Sequence, residues 1–588
     1  MKILRALLHD NANDRWLSFQ NPVEVLATSD AGEVLDVLRR VEARVEADQL
    51  TAVGFVSYEA ASGFDAALST HQRGSLPLLC FALFAKSEVM DVPLQSSSGQ
   101  LWRFTESTQS YRDRVDQIRD LIAQGTVYQV NYTTRLRGQV HDAEGLFAEV
   151  AAGAPHGAFL LGDSHTLISA SPECFFSLAG EHIYSQPMKG TAARCKDPDE
   201  DRAQASWLLN SAKNQAENLM ITDMVRNDLG RIATAGSVRV SELFALEKYP
   251  TVWQLTSRVE AQTRASVTEI FQQLFPAASI TGAPKKSAME QICRLEAEPR
   301  EIYTGAIGFI APNRRAHFNI AIRTAWIENA SGIARYGAGG GMVWDSNPAE
   351  ELQELLAKTR VLQRVVAMED FELFETLAWS EQEGAINLQA HLARMHSSAR
   401  VFGLPVAECE EFTVRVQRAI QQASEAYKMD ASSDQARLRI TLNGYGECEA
   451  VLTPLPPLAT GPQRVALAAS PVHSQDPALA HKTNQRQLYV QARAQVCDDH
   501  GAGCEPLLVN ERGEITESDI ANVVFVLDGK FYTPPLSSGL LPGTLRGRLL
   551  ARGELEERVL FVEELAEISS LYLINDLRGW RAATWIKS

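Results

Sequence analysis

An α+β protein of two units is what this sequence predicts, on three observations. Strand-like and helical patterns are mixed along the chain. Its 588 residues exceed one ordinary core. The pattern also changes character at 365–371, where the helical run EELQELLAKTRVLQRVV gives way to strand-like FELFETLAW. No Pro/Gly/Ser-rich linker intervenes, so units 1–365 and 370–588 are expected to join tightly.

The elements follow in order. The Ser-rich stretch 95–100 reads as a surface loop. In DRVDQIRDLIAQG (113–125), Val115, Ile118, Leu121 and Ile122 share one helical face, and Gly125 is a stop signal. A helical pattern spans 200–229, and strand-like runs occupy 157–161, 166–170, 305–311 and 318–326. In the second unit, strand signals fall at 437–443 and 464–469. Asp528-Gly529 divides NVVFVLDGKFYTPP as a hairpin turn would. No fixed-period repeat is present.

Composition excludes several classes. Hydrophobic residues at 45% and charged residues at 22% suit a soluble globular protein. No run of about 18 apolar residues predicts a membrane span. The start, MKILRALLHDNANDRW, has no signal-like apolar segment, and the eight cysteines are scattered without a CxxC pair. Both point to a reducing cytoplasm. A net charge of -17 argues against nucleic acid.

Candidate chemistry comes next. Glu351 and Glu354 are three residues apart on one predicted helix face. They read either as a solvated face with a Glu354–Lys358 pair or, with Glu217 of AENLMITDMVRNDLGR, as oxygen ligands for Mg²⁺. SITGAPKKSAMEQI and YGAGGGMVWDS read as anion-binding backbone or as tight turns. Arg323, in the apolar strand-like NIAIRTAW, is a candidate for a substrate carboxylate.

From about 105 to 360 the motifs GTVYQVNYT, SPECFF, PMKGT, AENLMITDMVRNDLGR, SITGAPKKSAMEQI, YTGAIGFI, FNIAIRT and GAGGGMVWDSNPAEELQELLAK occur in order. This set resembles the chorismate-utilising enzymes, whose members include anthranilate, aminodeoxychorismate, isochorismate and salicylate synthases. The resemblance implies an α/β sandwich like the anthranilate synthase large subunit. It implies Glu217 and Glu354 as magnesium ligands, with Glu351 close by. Tyr303, Arg323, backbone near Gly339, and Thr191 would hold chorismate. Glu173 would be the general acid that protonates the departing C4 hydroxyl. Where many members have His, TVWQLTSRV has Gln254, which can hydrogen-bond but carries no proton charge.

Lys189 lies in PMKGT. Anthranilate synthases usually read PIAGT there, and aminodeoxychorismate synthases PIKGT. The lysine therefore implies an amine that bonds to ring carbon C2 and is later displaced by ammonia at C4. Such an amine must be neutral to attack. No cysteine sits in a G-x-C-x-G context, so ammonia is expected from a separate glutamine amidotransferase subunit. The competing reading makes the first unit an anthranilate synthase.

The second unit carries LFETLAW, LQAHLARMHSSARVFGLP, HKTNQRQ, VNERGEITESDIANVVFV, PLSSGLLPGTLR and LYLINDLRGWR in order. This set resembles the two-lobed fold-type IV enzymes of pyridoxal 5'-phosphate, which include class IV aminotransferases and aminodeoxychorismate lyase. It implies Lys482 as the cofactor lysine and Glu517 beside the pyridine nitrogen. Arg394, Thr544, Leu545 and Asn575 would lie around the phosphate. Pro542-Gly543 leading into TLRGRLLARG independently suits an anion at a helix start. The fusion implies 4-aminobenzoate formation, with a general aminotransferase as the alternative for this unit and a homodimer formed through it.

Overall fold

The computed structural model describes all residues except 12, 91–99, 152–153, 196, 249–251, 363, 407–408, 428–434, 459 and 587–588. Most of the Ser-rich stretch expected as a loop, 95–99, lies outside the described residues. The chain forms two compact units. One comprises 1–97, 106–136 and 142–362; the other comprises 98–105, 137–141 and 363–588.

The first unit stacks two antiparallel sheets. In one, strands run Gln129–Gln139, Ile333–Met342, Thr324–Glu328, His165–Ser171, His156–Gly162, Ile3–Asp10, Arg15–Gln20, Glu88–Met90. The other is ordered Met188–Ala193, Val252–Gln262, His182–Gln186, Cys174–Ala179, Arg315–Ile320, Ala306–Ala311, Thr51–Val56, Leu79–Phe84, Glu24–Thr28. Strand Arg239–Lys248 also pairs with Val252–Gln262. Alternation along the strands separates two cores. Phe55, Phe84 and Ile307 of one sheet meet Leu8, Leu160 and Trp326 of the other. Their neighbours Phe81, Phe176 and Phe318 face outward onto helices Val34–Asp48, Ala212–Gly230 and Val267–Leu274.

Several expected elements divide. The helical pattern at 200–229 is two helices, Pro198–Asn210 and Ala212–Gly230. Ser211 between them is extended, and its side chain caps the second. The expected strand 318–326 is two strands, Arg315–Ile320 and Thr324–Glu328, interrupted where Arg323 takes φ 49°. The run from Glu350 stops as helix at Lys358, and Arg364–Val366 is already a strand.

The second unit has a small sheet built on Glu372–Ser380, Ala436–Asn443 and Cys448–Pro454. Its larger sheet runs Ile515–Ser518, Glu505–Val509, Gln463–Leu467, Gly579–Trp585, Ser570–Asn575, Asn522–Leu527, Lys530–Thr533 and Glu556–Glu557. Asp528 and Gly529, at φ 50° and 77°, make the tight turn expected between Asn522–Leu527 and Lys530–Thr533.

Candidate active sites

Lys189 stands in a β-bulge. Met188 lies opposite Thr256, but Thr191 lies opposite Gln254, so the lysine strand carries one extra residue. Gly190 absorbs it at φ 93°. Gln254 fixes the bulge from across: its Nε2 donates to the Gly190 carbonyl at 2.8 Å, and its Oε1 accepts from Thr191 Oγ1 at 2.8 Å. Asn218 donates to the Lys189 carbonyl at 3.3 Å. Glutamine at 254 thus performs a holding role that needs both a donor and an acceptor, and Thr191's hydroxyl is committed to it.

The bulge aims Lys189 at the glycine strand. A Cβ on Gly341 would lie 2.5 Å from Lys189 Nζ and 2.8 Å from Gln129 Nε2. GAGGG is therefore not a turn but a strand whose missing side chains make room. A Cβ on Gly337 would strike the Tyr303 ring at 2.1 Å, and one on Gly339 would meet the Tyr132 carbonyl at 2.2 Å. Gln129 is 1% exposed, and its amide nitrogen has no hydrogen-bond partner among the described residues. A bound polar group would satisfy it.

Glu173, between strands His165–Ser171 and Cys174–Ala179, is 3% exposed. Ser279 Oγ donates to it at 2.8 Å. Burial raises its carboxyl to about 7, against the opposing pull of Ser279 and of Lys189's charge. It can therefore hold and release a proton near neutrality, as a general acid must.

On helix Pro348–Lys358, Glu351 is buried and accepts from Ser346 at 2.7 Å. Burial raises its carboxyl, and the like charge of Glu354 adds to the rise. Glu354 pairs with Lys358 at 2.7 Å, which lowers its pKa. Lys358 also donates to the Gly339 carbonyl at 2.8 Å. The predicted i,i+4 pair thus forms within the site. Lys213, one turn before Glu217 on helix Ala212–Gly230, also lowers the pKa of both Glu351 and Glu354. Among the described residues, no three His, Cys, Asp or Glu side chains are arranged to hold a metal ion. The donor chemistry nevertheless suits a hard cation: carboxylate oxygens, two of them repelling each other.

Tyr303 is buried, with the Arg135 guanidinium 5.3 Å over its ring. Arg323 lies in a left-handed bend, not within a strand. Its charge acts on buried Tyr336, while its carbonyl accepts from Ala170.

In the second unit, Lys482 lies 5.4 Å from the centre of the Phe374 ring, and its carbonyl accepts from Phe374 N–H. Burial lowers its amine to about 8, with Arg394 and Arg486 adding to the fall. Glu517 is 3% exposed and accepts from Tyr489 Oη at 2.9 Å and from Asn522 and Leu541 N–H at 3.2 Å each. Burial raises it to about 7 despite these donors. Helix Thr544–Ala551 starts with no side chain capping its first N–H groups, those of Thr544 and Leu545 included. Arg394 donates to the Pro542 carbonyl at 2.9 Å just before that helix. An amine of lowered pKa, a buried acid and an uncapped helix start beside a guanidinium fit a phosphorylated pyridine aldehyde. Asn575 accepts from Arg578 N–H in its own turn and donates to Ile520 O.

Sequence reasoning missed the support of this site. Arg394 is gripped by both oxygens of Glu375, whose Oε2 also meets His391 Nδ1 at 2.7 Å. His391 Nε2 meets Asp576 at 3.2 Å and Thr544 Oγ1 at 3.2 Å. The three-residue spacing of His391 and Arg394, one helix face, was the available signal. Gln129 was readable as a polar residue inside the strand-like QVNYTT. Lys358 was read only as half of a surface pair.

Comparison with known proteins assigns a family to each unit. Residues 91–364 match the chorismate binding enzyme family and 372–586 the amino-transferase class IV family. The chain is 34% identical over 368 residues to aminodeoxychorismate synthase component 1 of Salmonella typhimurium, covering 60% of this chain and 79% of that protein. The same enzyme of Bacillus subtilis is 34% identical over 336 residues, 52% of this chain and 70% of that protein. An anthranilate synthase component I structure from Streptococcus pneumoniae, 24% identical with TM-score 0.52, covers 59% of this chain and 92% of that chain and shares the fold of the first unit. The chain belongs to the chorismate-binding enzymes and carries, fused behind that domain, one of the class IV aminotransferase family.

Proposed function

We infer that this chain makes 4-aminobenzoate in two consecutive steps: residues 1–365 aminate chorismate to 4-amino-4-deoxychorismate, and residues 370–588 eliminate pyruvate from it. The observation that carries the reading is Lys189, aimed by its bulge into the notch at Gly341 beside a protonatable Glu173.

In the first step the free amine of Lys189 bonds to ring carbon C2. Glu173 gives its proton to the C4 hydroxyl, which leaves as water. Ammonia then bonds at C4, and Lys189 departs from C2 with the electron pair. Tyr303, Arg323 and the backbone at Gly339 hold the substrate, with Thr191 steadied by Gln254. Glu217, Glu351 and Glu354 would hold Mg²⁺, which neutralises a substrate carboxylate. The relatives are named as component 1, and we assign ammonia delivery to a separate glutamine amidotransferase subunit.

In the second step Lys482 removes the proton from C4, pyruvate leaves from C3, and the ring becomes aromatic. Pyridoxal 5'-phosphate, when bound, supplies the electron sink for that proton's removal. Glu517 would face its pyridine nitrogen. Arg394 and the N–H groups of Thr544 and Leu545 would face its phosphate, with Asn575 at the edge. The second unit is also where we assign pairing of two copies. Among the described residues no helix is long and apolar enough to cross a membrane, and we assign the chain to the cytoplasm.

The test is the aromatic product formed by pure protein with chorismate, Mg²⁺, an ammonium salt and pyridoxal phosphate. 4-Aminobenzoate with equimolar pyruvate is expected. 2-Aminobenzoate would reassign the first unit. Amine transfer from ordinary amino acids, without pyruvate release from the aminated intermediate, would reassign the second.

A further inference from the structure

Arg486 is the N-cap residue of helix Gln487–His500, four residues after Lys482. Its guanidinium lies 4.4 Å over the ring of Tyr489, whose hydroxyl donates to Glu517. The same guanidinium is 5.8 Å from the centre of the Phe374 ring, which also carries the Lys482 amine at 5.4 Å. One backbone anchor, the Asp519 carbonyl, holds it in place.

The charged groups that act most on Lys482 are Glu375, Arg394, Arg486 and Glu517, and Arg439 shares the Phe374 ring at 4.1 Å. Two of these cancel: Arg394 is bound through Nε and Nη2 to both oxygens of Glu375. Arg486 makes no ion pair among the described residues. It borders Lys482 on one side and the Tyr489–Glu517 hydrogen bond on the other, and Glu517 and Asp519 feel its charge. A positive charge there disfavours the ammonium form of a lysine and favours the carboxylate form of a glutamate.

We propose that Arg486 is a positioning residue of the second site, clamping Tyr489 onto Glu517 and placing a positive charge beside the Lys482 amine. This rests on the reading of Lys482 as the cofactor lysine. Arg486 acts through its neighbours and forms no bond to substrate.

The test reads Lys482 in the cofactor-free protein. Acylation with acetic anhydride is followed against pH, and the Lys482 peptide is quantified by mass spectrometry. Arg486→Gln and Arg486→Met both keep bulk over Tyr489 and lose the charge. Each should raise the labelling midpoint by about one pH unit, a roughly tenfold slower reaction below the midpoint. Arg486→Lys should restore it. Tyr489→Phe should leave the midpoint in place and weaken pyridoxal phosphate binding, followed by absorbance, by about tenfold. An unchanged midpoint in either folded charge-removing variant overturns the proposal. If borohydride fails to fix the cofactor on Lys482 in the unaltered protein, the underlying reading fails instead, whatever the midpoints.

Discussion

Replacing Gly341 with alanine should stop the first reaction without unfolding the protein. The added Cβ would lie 2.5 Å from Lys189 Nζ and 2.8 Å from Gln129 Nε2, both at the far ends of side chains. Carbon and nitrogen need about 3.5 Å, so the amine must retreat by roughly 1 Å. The backbone need not move, and stability should fall by no more than about 1 kcal/mol. A misplacement of about 1 Å at a reacting atom costs on the order of 10²-fold in rate, about 2.7 kcal/mol of barrier. The neighbouring glycines are controls. On Gly340 the nearest atoms would be 3.5 Å away, so alanine there should change little. On Gly339 the Cβ would sit 2.2 Å from the Tyr132 backbone carbonyl, and alanine should cost roughly 1–3 kcal/mol or more. The assay is chorismate amination with ammonium, beside thermal melting of each variant. Full amination by Gly341→Ala would refute the placement of the Lys189 amine.

Further outcomes follow from the same geometry. Glu173 must be protonated to act, so amination should decline as pH rises through about 7. Glu173→Gln should remove that limb together with most of the activity, and an unchanged pH profile would exclude Glu173 as the acid. His156 and His317 share a hydrogen bond of 3.1 Å, and burial holds them down to about 3 and about 4. Below pH 6.5 the unfolded chain binds protons that the folded one refuses. Stability of the first unit should therefore fall by up to ~1.4 kcal/mol per pH unit per imidazole. Denaturant titrations of a His156→Gln, His317→Gln variant should show a flatter acid limb, and a limb as steep as before would count against it. Lys482→Ala should accumulate the aminated intermediate, measured by chromatography, and continued pyruvate release would remove Lys482 from the second reaction.

The sequence carried the short-range features well. The Asp528-Gly529 turn, the strand 437–443 and the helix around 113–125 depend on neighbours within a few residues, and all three formed. Breaks hidden inside a continuous pattern were not legible. Ser211 caps a new helix where periodicity alone runs on, and Arg323 turns left-handed between two apolar stretches. The site was legible as residue types and opaque as contacts. That Gln254 ties Gly190 to Thr191 depends on the register of strands about 60 residues apart. The Arg394–Glu375–His391–Asp576 network joins residues spread over about 200 positions, which no local pattern encodes. The glycines of GAGGG were visible. What each makes room for, the Tyr303 ring or the Lys189 amine, appears only once the strands are stacked.

In the proposed function both reactions are carried by lysine amines that bond covalently to carbon. The most direct measurement is peptide mass spectrometry of the protein quenched during turnover with chorismate, ammonium and pyridoxal phosphate, one portion reduced with borohydride. Added mass of a chorismate-derived ring on the Lys189 peptide, and of the reduced cofactor on the Lys482 peptide, is the expected result. Unmodified peptides at both positions, in protein that is turning over, would contradict it.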